Sequence, residues 1–182
     1  MDVPTEDFLK TLERVFSKPL AIIAEDLGHI TDDVREIMKK FDIPGMKVLL
    51  FAFNDGLKDH PYLPHNYPPQ CVVYTGTHDN NTVLGWFEQE ATQNELDNVK
   101  AYIGKDISSD SINWDLIHLA FDSKAGLAMI PLQDALQLGS EGRMNKPATM
   151  NGNWRWRCSP EMLNSELVQK LSDVTVAAGR NP

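Results

Sequence analysis

The sequence predicts an α/β fold, a parallel sheet with helices packed outside it. Short apolar runs alternate along the chain with stretches of helical spacing, as in β-α units. The runs are apolar on successive residues, the pattern of strands covered on both faces. Charged and polar groups follow the runs directly, and parallel α/β folds carry their functional groups at the carboxyl ends of strands. With 182 residues, 42% of them apolar, the chain can bury one sizeable core, and length alone favours one domain.

The elements follow in order. Thr5 caps a helix with apolar positions Phe8, Leu9, Leu12, Val15 and Phe16. Pro19 ends it, and Leu20 to Ala24 reads as a first buried strand running into Glu25-Asp26. Thr31 caps a second helix with Asp32 and Asp33 at its positive end, Lys39 and Lys40 at its negative end, and Val34, Ile37, Met38 and Phe41 as its stripe. Pro44-Gly45 turns into a second strand, Met46 to Phe53. Asn54 to Gln70, with four prolines, reads as a loop, and Cys71 to Tyr74 as a third strand ending in Thr75-Gly76-Thr77-His78-Asp79-Asn80.

Helices are expected from Thr82 to Gln89, Asn94 to Tyr102 and Ser111 to Phe121, the last turning Trp114, Ile117 and Phe121 inward. A fourth strand, Leu127 to Ile130, stops at Pro131. Gly139 to Arg157 is a loop of functional length. The final helix is expected from Ser159-Pro160, with Leu163, Leu167, Leu171 and Val174 as its stripe and Gly179 as its end. Such a sheet closes either as an open doubly wound sheet or as a barrel. No glycine-rich phosphate motif follows any strand, which removes the usual nucleotide reason for an open sheet.

Composition narrows the partners. The net charge of −9 disfavours nucleic acid and anionic membrane surfaces. No apolar run approaches the ~20 residues of a membrane span, and the acidic start lacks the pattern of a signal peptide. Two cysteines, Cys71 and Cys158, make no disulfide framework, so a reducing, cytoplasmic home is expected.

The polar strand ends carry the candidate chemistry: Glu25-Asp26, then Phe53-Asn54-Asp55, then His78-Asp79, with Glu141, Arg143, Asn145, Asn153 and Trp154 in the later loop. A carboxylic acid at a buried strand end can be raised into the range of a proton donor, while a second stays ionised to stabilise positive charge. Such pairs cleave glycosidic bonds. Phe51, Phe53, Tyr62, Tyr67, Trp86, Trp154 and Trp156 are aromatic rings suited to stack on sugars. Structural readings stand beside these: Glu25 as a helix cap or lysine partner, His78-Asp79 as a hydrogen-bonded pair, the tryptophans as core. His60, His65, His78 and Asp79 match no zinc spacing, so no metal is expected.

An ordered series of motifs then becomes more specific. Ile22-Ile23-Ala24-Glu25-Asp26-Leu27-Gly28, Pro44-Gly45-Met46-Lys47-Val48-Leu49 and Phe51-Ala52-Phe53 closely resemble the 4-α-glucanotransferases of glycoside hydrolase family 77. The likeness runs on through Pro64-His65-Asn66-Tyr67, Val73 to Asn80, Leu84-Gly85-Trp86, Pro131-Leu132-Gln133-Asp134, Gly139 to Asn145 and Gly152 to Arg157.

The resemblance implies a (β/α)8 barrel with inserted segments, of which this chain, 1–182, would be the C-terminal half with strands five to eight and no separate second domain. It implies retaining double displacement on α-1,4-glucans and malto-oligosaccharides, with no cofactor and no metal. Glu25 takes the acid/base role, Asp79 stabilises the transition state, and His78 holds a hydroxyl of the reacting sugar. Asp26, Phe51, Asp55 and Asn153 correspond to glucan-binding positions.

Two departures stand out. Asn81 occupies a position where the family pattern continues with Asp. The nucleophile segment, expected before strand five, has no counterpart in the first 20 residues, nor have the first four β-α units. The expectation is a chain inactive alone, with two unpaired strand edges, completed by an N-terminal half. Its location would be cytoplasmic, or plastidial in a plant or alga. An α-amylase-class hydrolase fragment and a non-catalytic glucan-binding fragment are the alternatives.

Overall fold

The structure is a computed structural model that describes residues 4–16, 21–54 and 56–180. Three short strands, β1 (Gly45–Val48), β2 (Cys71–Tyr74) and β3 (Leu127–Met129), form one parallel sheet in the order β1-β2-β3. Gly45 lies opposite Cys71 and Val48 opposite Tyr74; Val72 lies opposite Leu127 and Tyr74 opposite Met129. All three strands therefore end on one side of the sheet. Around it stand α1 (Thr5–Val15), α2 (Asp32–Lys40), α3 (Val83–Gln89), α4 (Gln93–Ile103), α5 (Ile112–Phe121), the single turn α6 (Leu132–Ala135) and α7 (Ser165–Ala177).

The main core joins Val48, Leu49, Phe53, Leu63 and Val73 to Val83, Val99, Ile112 and Leu116, all fully buried. Trp114 and Ile117 on the other side of α5 meet Ala135, Leu167 and Val174 in a second cluster, with Phe121 packed against it. A third, small cluster of Leu9, Phe41 and Ile43 ties α1 and α2 together. Of the other stripe positions, Leu12 is half-buried against this cluster, while Phe8, Val15 and Phe16 are exposed. In α2, Val34 is exposed while Ile37 and Met38 are half-buried.

The expected first strand is not formed over residues 21–24, and Leu20 lies outside the described residues. The segment runs extended beside β1. Ala24 N donates to Pro44 O at 2.9 Å. The next edge donor of β1, Met46 N, is taken at 2.6 Å by the side chain of Asp26. A side-chain oxygen thus replaces the backbone carbonyl that would continue a ladder. Ile23 is exposed while Ile22 and Ala24 are half-buried, so only one face of the segment is covered.

The second strand is shorter than its apolar run. Leu50 N bonds Thr75 O at 3.2 Å, and the chain then coils through a 3-10 turn, Leu49–Phe51. Leu49 in that turn, and Ala52 and Phe53 just after it, are fully buried. A continuous apolar run marks burial, and it does not separate strand from buried turn.

The last helix also begins later than expected. Ser159-Pro160 opens only a 3-10 turn, Pro160–Met162, and α7 is capped instead by Asn164, whose side chain accepts from Leu167 N at 2.9 Å. Leu163 is left exposed. α6, directly after Pro131, had no expectation attached to it. The other helices fall close to their expected bounds. No helix of the described residues is long and apolar enough to cross a membrane.

Candidate active site

At the carboxyl ends of the strands lies an open cleft of about 980 Å³. Leu27 and Gly28, the turn after β1 with Phe51 and Asn54, the turn after β2 from Gly76 to Asn80, and Ile130-Pro131 after β3 all line it. Glu25 and Asp79 are the carboxylates among the described lining residues. Both are exposed, so the burial expected of an acid at a buried strand end is absent at Glu25. Phe51 meets Tyr62 edge to face, ring centres 5.7 Å apart, and Lys47 Nζ stands 5.4 Å from the Tyr62 ring centre. These rings give the cleft one aromatic wall.

The turn that presents Asp79 is built by its own side chains. Asn80 Oδ1 accepts from Thr77 N at 2.9 Å and from Thr77 Oγ1 at 3.0 Å, and the Thr77 hydroxyl accepts from Asp79 N at 3.3 Å. Such side-chain turns fix a loop without secondary structure. His78 Nε2 lies 3.4 Å from Asp79 Oδ1. Trp154 leans on the His78 ring at 5.1 Å between centres, from a left-handed backbone (φ 60°) that few non-glycine residues adopt.

Donors from the Gly139–Arg157 loop complete the surroundings of Asp79. Asn145 Nδ2 donates to Asp79 Oδ1 at 2.6 Å, and Asn145 N to His78 O at 3.0 Å. Arg143 Nη2 donates to Asp79 O at 2.9 Å. Beneath this turn, Asp134 is buried between β2 and α3. It accepts from Thr75 Oγ1 at 2.5 Å and from Val83 N at 2.8 Å. Burial raises its carboxyl to about 6, against the opposing pull of those two donors.

The structure brings Glu25, Phe51, His78 and Asp79 to one cleft. It turns Asp26 aside onto Met46 N; a Cβ at Gly45 would stand 2.7 Å from Asp26 Cγ, so glycine is what admits that carboxylate. Asn153 is likewise engaged away from the cleft lining, accepting from Lys146 N at 2.9 Å and donating to Thr149 O at 3.1 Å. Asp55 lies outside the described residues. His65 braces its loop through Tyr102 Oη and Lys58 O, both at 3.0 Å. Among the described residues no three His, Cys, Asp or Glu side chains gather as metal ligands would.

Arg143 and Asn145 belong to a loop the sequence marks as functional, yet their contacts with Asp79 span more than 60 residues and carry no local signal. Asp134 had one available signal, a carboxylate placed just after a strand and Pro131. Glu90, which bonds Arg143, had none.

Comparison with known proteins agrees with the motifs. The sequence profile of glycoside hydrolase family 77, described as 4-alpha-glucanotransferase, matches residues 1–164. A 4-alpha-glucanotransferase of Synechocystis is 47% identical over 178 residues, covering 97% of this chain and 35% of that protein. One from Thermus thermophilus is 43% identical, covering 97% of this chain and 36% of its own. Among solved structures, amylomaltase from Streptococcus agalactiae in complex with acarbose superimposes with a TM-score of 0.92 at 28% identity, over all of this chain and 36% of that one. The chain therefore spans about a third of the length of the curated relatives it matches. By sequence and by fold, this chain belongs to glycoside hydrolase family 77, the 4-α-glucanotransferases.

Proposed function

We propose that this chain carries the acid/base half of a 4-α-glucanotransferase site, in strands five to eight of a (β/α)8 barrel. The observation that carries the reading is the meeting of Glu25 with the His78-Asp79 pair across one aromatic-walled cleft at the strand ends. Glu25 protonates the leaving glycosidic oxygen of an α-1,4-glucan. Asp79, held by Asn145, stays beside the sugar ring as positive charge develops at the anomeric carbon. His78 holds a hydroxyl of the same sugar, and Phe51 with Tyr62 offers the ring faces. The donor sugar is held covalently by a carboxylate contributed from outside this chain. Glu25 then removes the proton of an incoming sugar 4-hydroxyl, and the bond re-forms with retention.

Asp26 and Asn153 serve the glucan indirectly, by fixing the segments that carry Glu25 and Trp154. Asp55, next to the cleft residue Asn54, is a further glucan contact. The free thiols suit a reducing compartment, cytoplasm or plastid.

The test is maltotriose disproportionation. The 182-residue chain is assayed alone and together with the complementary N-terminal two-thirds of the Synechocystis relative. Glucose and longer glucans are expected only from the pair, with reducing ends constant. Glu25→Gln is expected to lower kcat by roughly 10²–10⁴-fold, the usual worth of a general acid/base. Rising reducing ends would indicate hydrolysis instead. Full activity in the Glu25→Gln pair would remove the acid/base assignment.

A further inference from the structure

We infer that Glu90 is a positioning residue for Asp79, acting through Arg143. The inference rests on the reading of Asp79 as the stabilising carboxylate. Glu90 caps the C-terminus of α3, where the helix dipole disfavours a negative charge. A carboxylate against the local rule needs a compensating partner, and Arg143 supplies it: Arg143 Nη1 donates to Glu90 Oε1 at 2.8 Å.

The rest of the guanidinium points at the site. Its Nη2 donates to Asp79 O, and its Nε donates to Asn145 O at 2.9 Å. Asn145 in turn holds both members of the pair, through its side chain on Asp79 Oδ1 and its backbone N–H on His78 O. Each nitrogen of Arg143 is thereby assigned, one to the anchor and two to the backbone that frames the reactive residues. The Arg143 side chain is only 18% exposed, so its charge depends on Glu90 more than a surface arginine would.

Asn81 fits the same arrangement. Its Nδ2 donates to Glu90 Oε1 at 3.1 Å and to Ser140 Oγ at 2.9 Å, while its Oδ1 accepts from Thr82 N at 3.0 Å. Aspartate at position 81 would have no proton to offer and would set a second carboxylate against Glu90. The amide at 81 and the carboxylate at 90 are therefore a matched pair. The Cβ of an alanine at Gly85 would stand 2.5 Å from Asn81 Oδ1, so glycine keeps that pocket open.

The experiment reads the Asn145 side-chain amide by NMR in the 182-residue chain, beside a backbone spectrum that reports the fold. Glu90→Ala is expected to speed exchange of the Asn145 Nδ2 protons about tenfold or more, the change that loss of ~1.4 kcal/mol of ordering gives. Asn81→Asp is expected to do the same, and Asn81→Asp with Glu90→Gln to return the rate to within about threefold of the parent. Should Glu90→Ala fail to fold, Glu90→Gln and Asn81→Asp give the same reading. In the complemented enzyme, Glu90→Ala is expected to lower kcat about tenfold with KM within about twofold. Unchanged Asn145 exchange, or a loss confined to KM, would overturn the inference. A parent pair without transferase activity would overturn the proposed function instead, and the Asn145 signal would still decide this one.

Discussion

At the scale of single residues, Asp134 is the carboxylate whose chemistry burial alters most. Its ordinary value of 3.8 rises to about 6 because burial penalises the carboxylate more than Thr75 and Val83 stabilise it. The folded value lies above the unfolded one. Stability from this group is therefore complete below about pH 4 and is lost as pH climbs through about 6. Two pH units correspond to roughly 3 kcal/mol. Asn at this position keeps an acceptor for Val83 N and offers Thr75 Oγ1 a donor. The unfolding free energy of Asp134→Asn relative to the parent is expected to rise by about 2–3 kcal/mol between pH 4 and pH 7, measured in urea. A pH-independent difference would show that burial is not what sets this carboxyl.

Secondary-structure elements divide into those with local causes and those without. α4 has a local cause in full: Thr92 accepts from Glu95 N at 3.3 Å while the Glu95 side chain accepts from Thr92 N at 2.8 Å, and Gly104 closes the far end in a left-handed conformation. Thr92→Ala is expected to cost about 1 kcal/mol, read as a drop in thermal midpoint of a few degrees. Loss of nothing would mean that packing of Val99 alone holds α4. β2 was legible for a similar reason, a buried run bounded by prolines and by a glycine turn. The elements that misled are those decided at a distance. The extended segment before α2 lost its ladder to the Asp26 side chain, and the run after Met46 was bent where its neighbour β2 ended. Before α7, two capping signals stand five residues apart, and the chain uses the second. The site divides in the same way. Glu25 and His78-Asp79 follow apolar runs and could be read from them, whereas the Glu90–Arg143 contact joins residues 53 apart in sequence.

For the whole molecule, the sheet is asymmetric at its margins. The margin of β1 is occupied: Pro44 O and Met46 N are both bonded by the segment before α2. The outer margin of β3 has no strand partner among the described residues, and Leu127 and Met129 on it are about half exposed. Phe8, Val15 and Phe16 add apolar surface on α1. Exposed strand margins and apolar patches invite association. The chain alone is expected to self-associate at micromolar concentration in sedimentation velocity, and to do so less once the complementary N-terminal part is added. A strictly monomeric chain would show that these surfaces are inert.

The Asp26 bond to Met46 has a consequence for the form that association takes. A sheet with two free margins can add copies at both and grow into a fibre. A sheet with one margin stoppered can meet a copy of itself only once, through a two-fold contact, and the assembly then has nothing left to offer. The carboxylate beside Glu25 takes the Met46 donor that growth at the β1 margin would need. Asp26→Ala frees Met46 N while Ala24 N still holds Pro44 O, and it is expected to shift any assemblies seen in sedimentation velocity to larger sizes; an unchanged size distribution would show that Ala24 alone closes this margin.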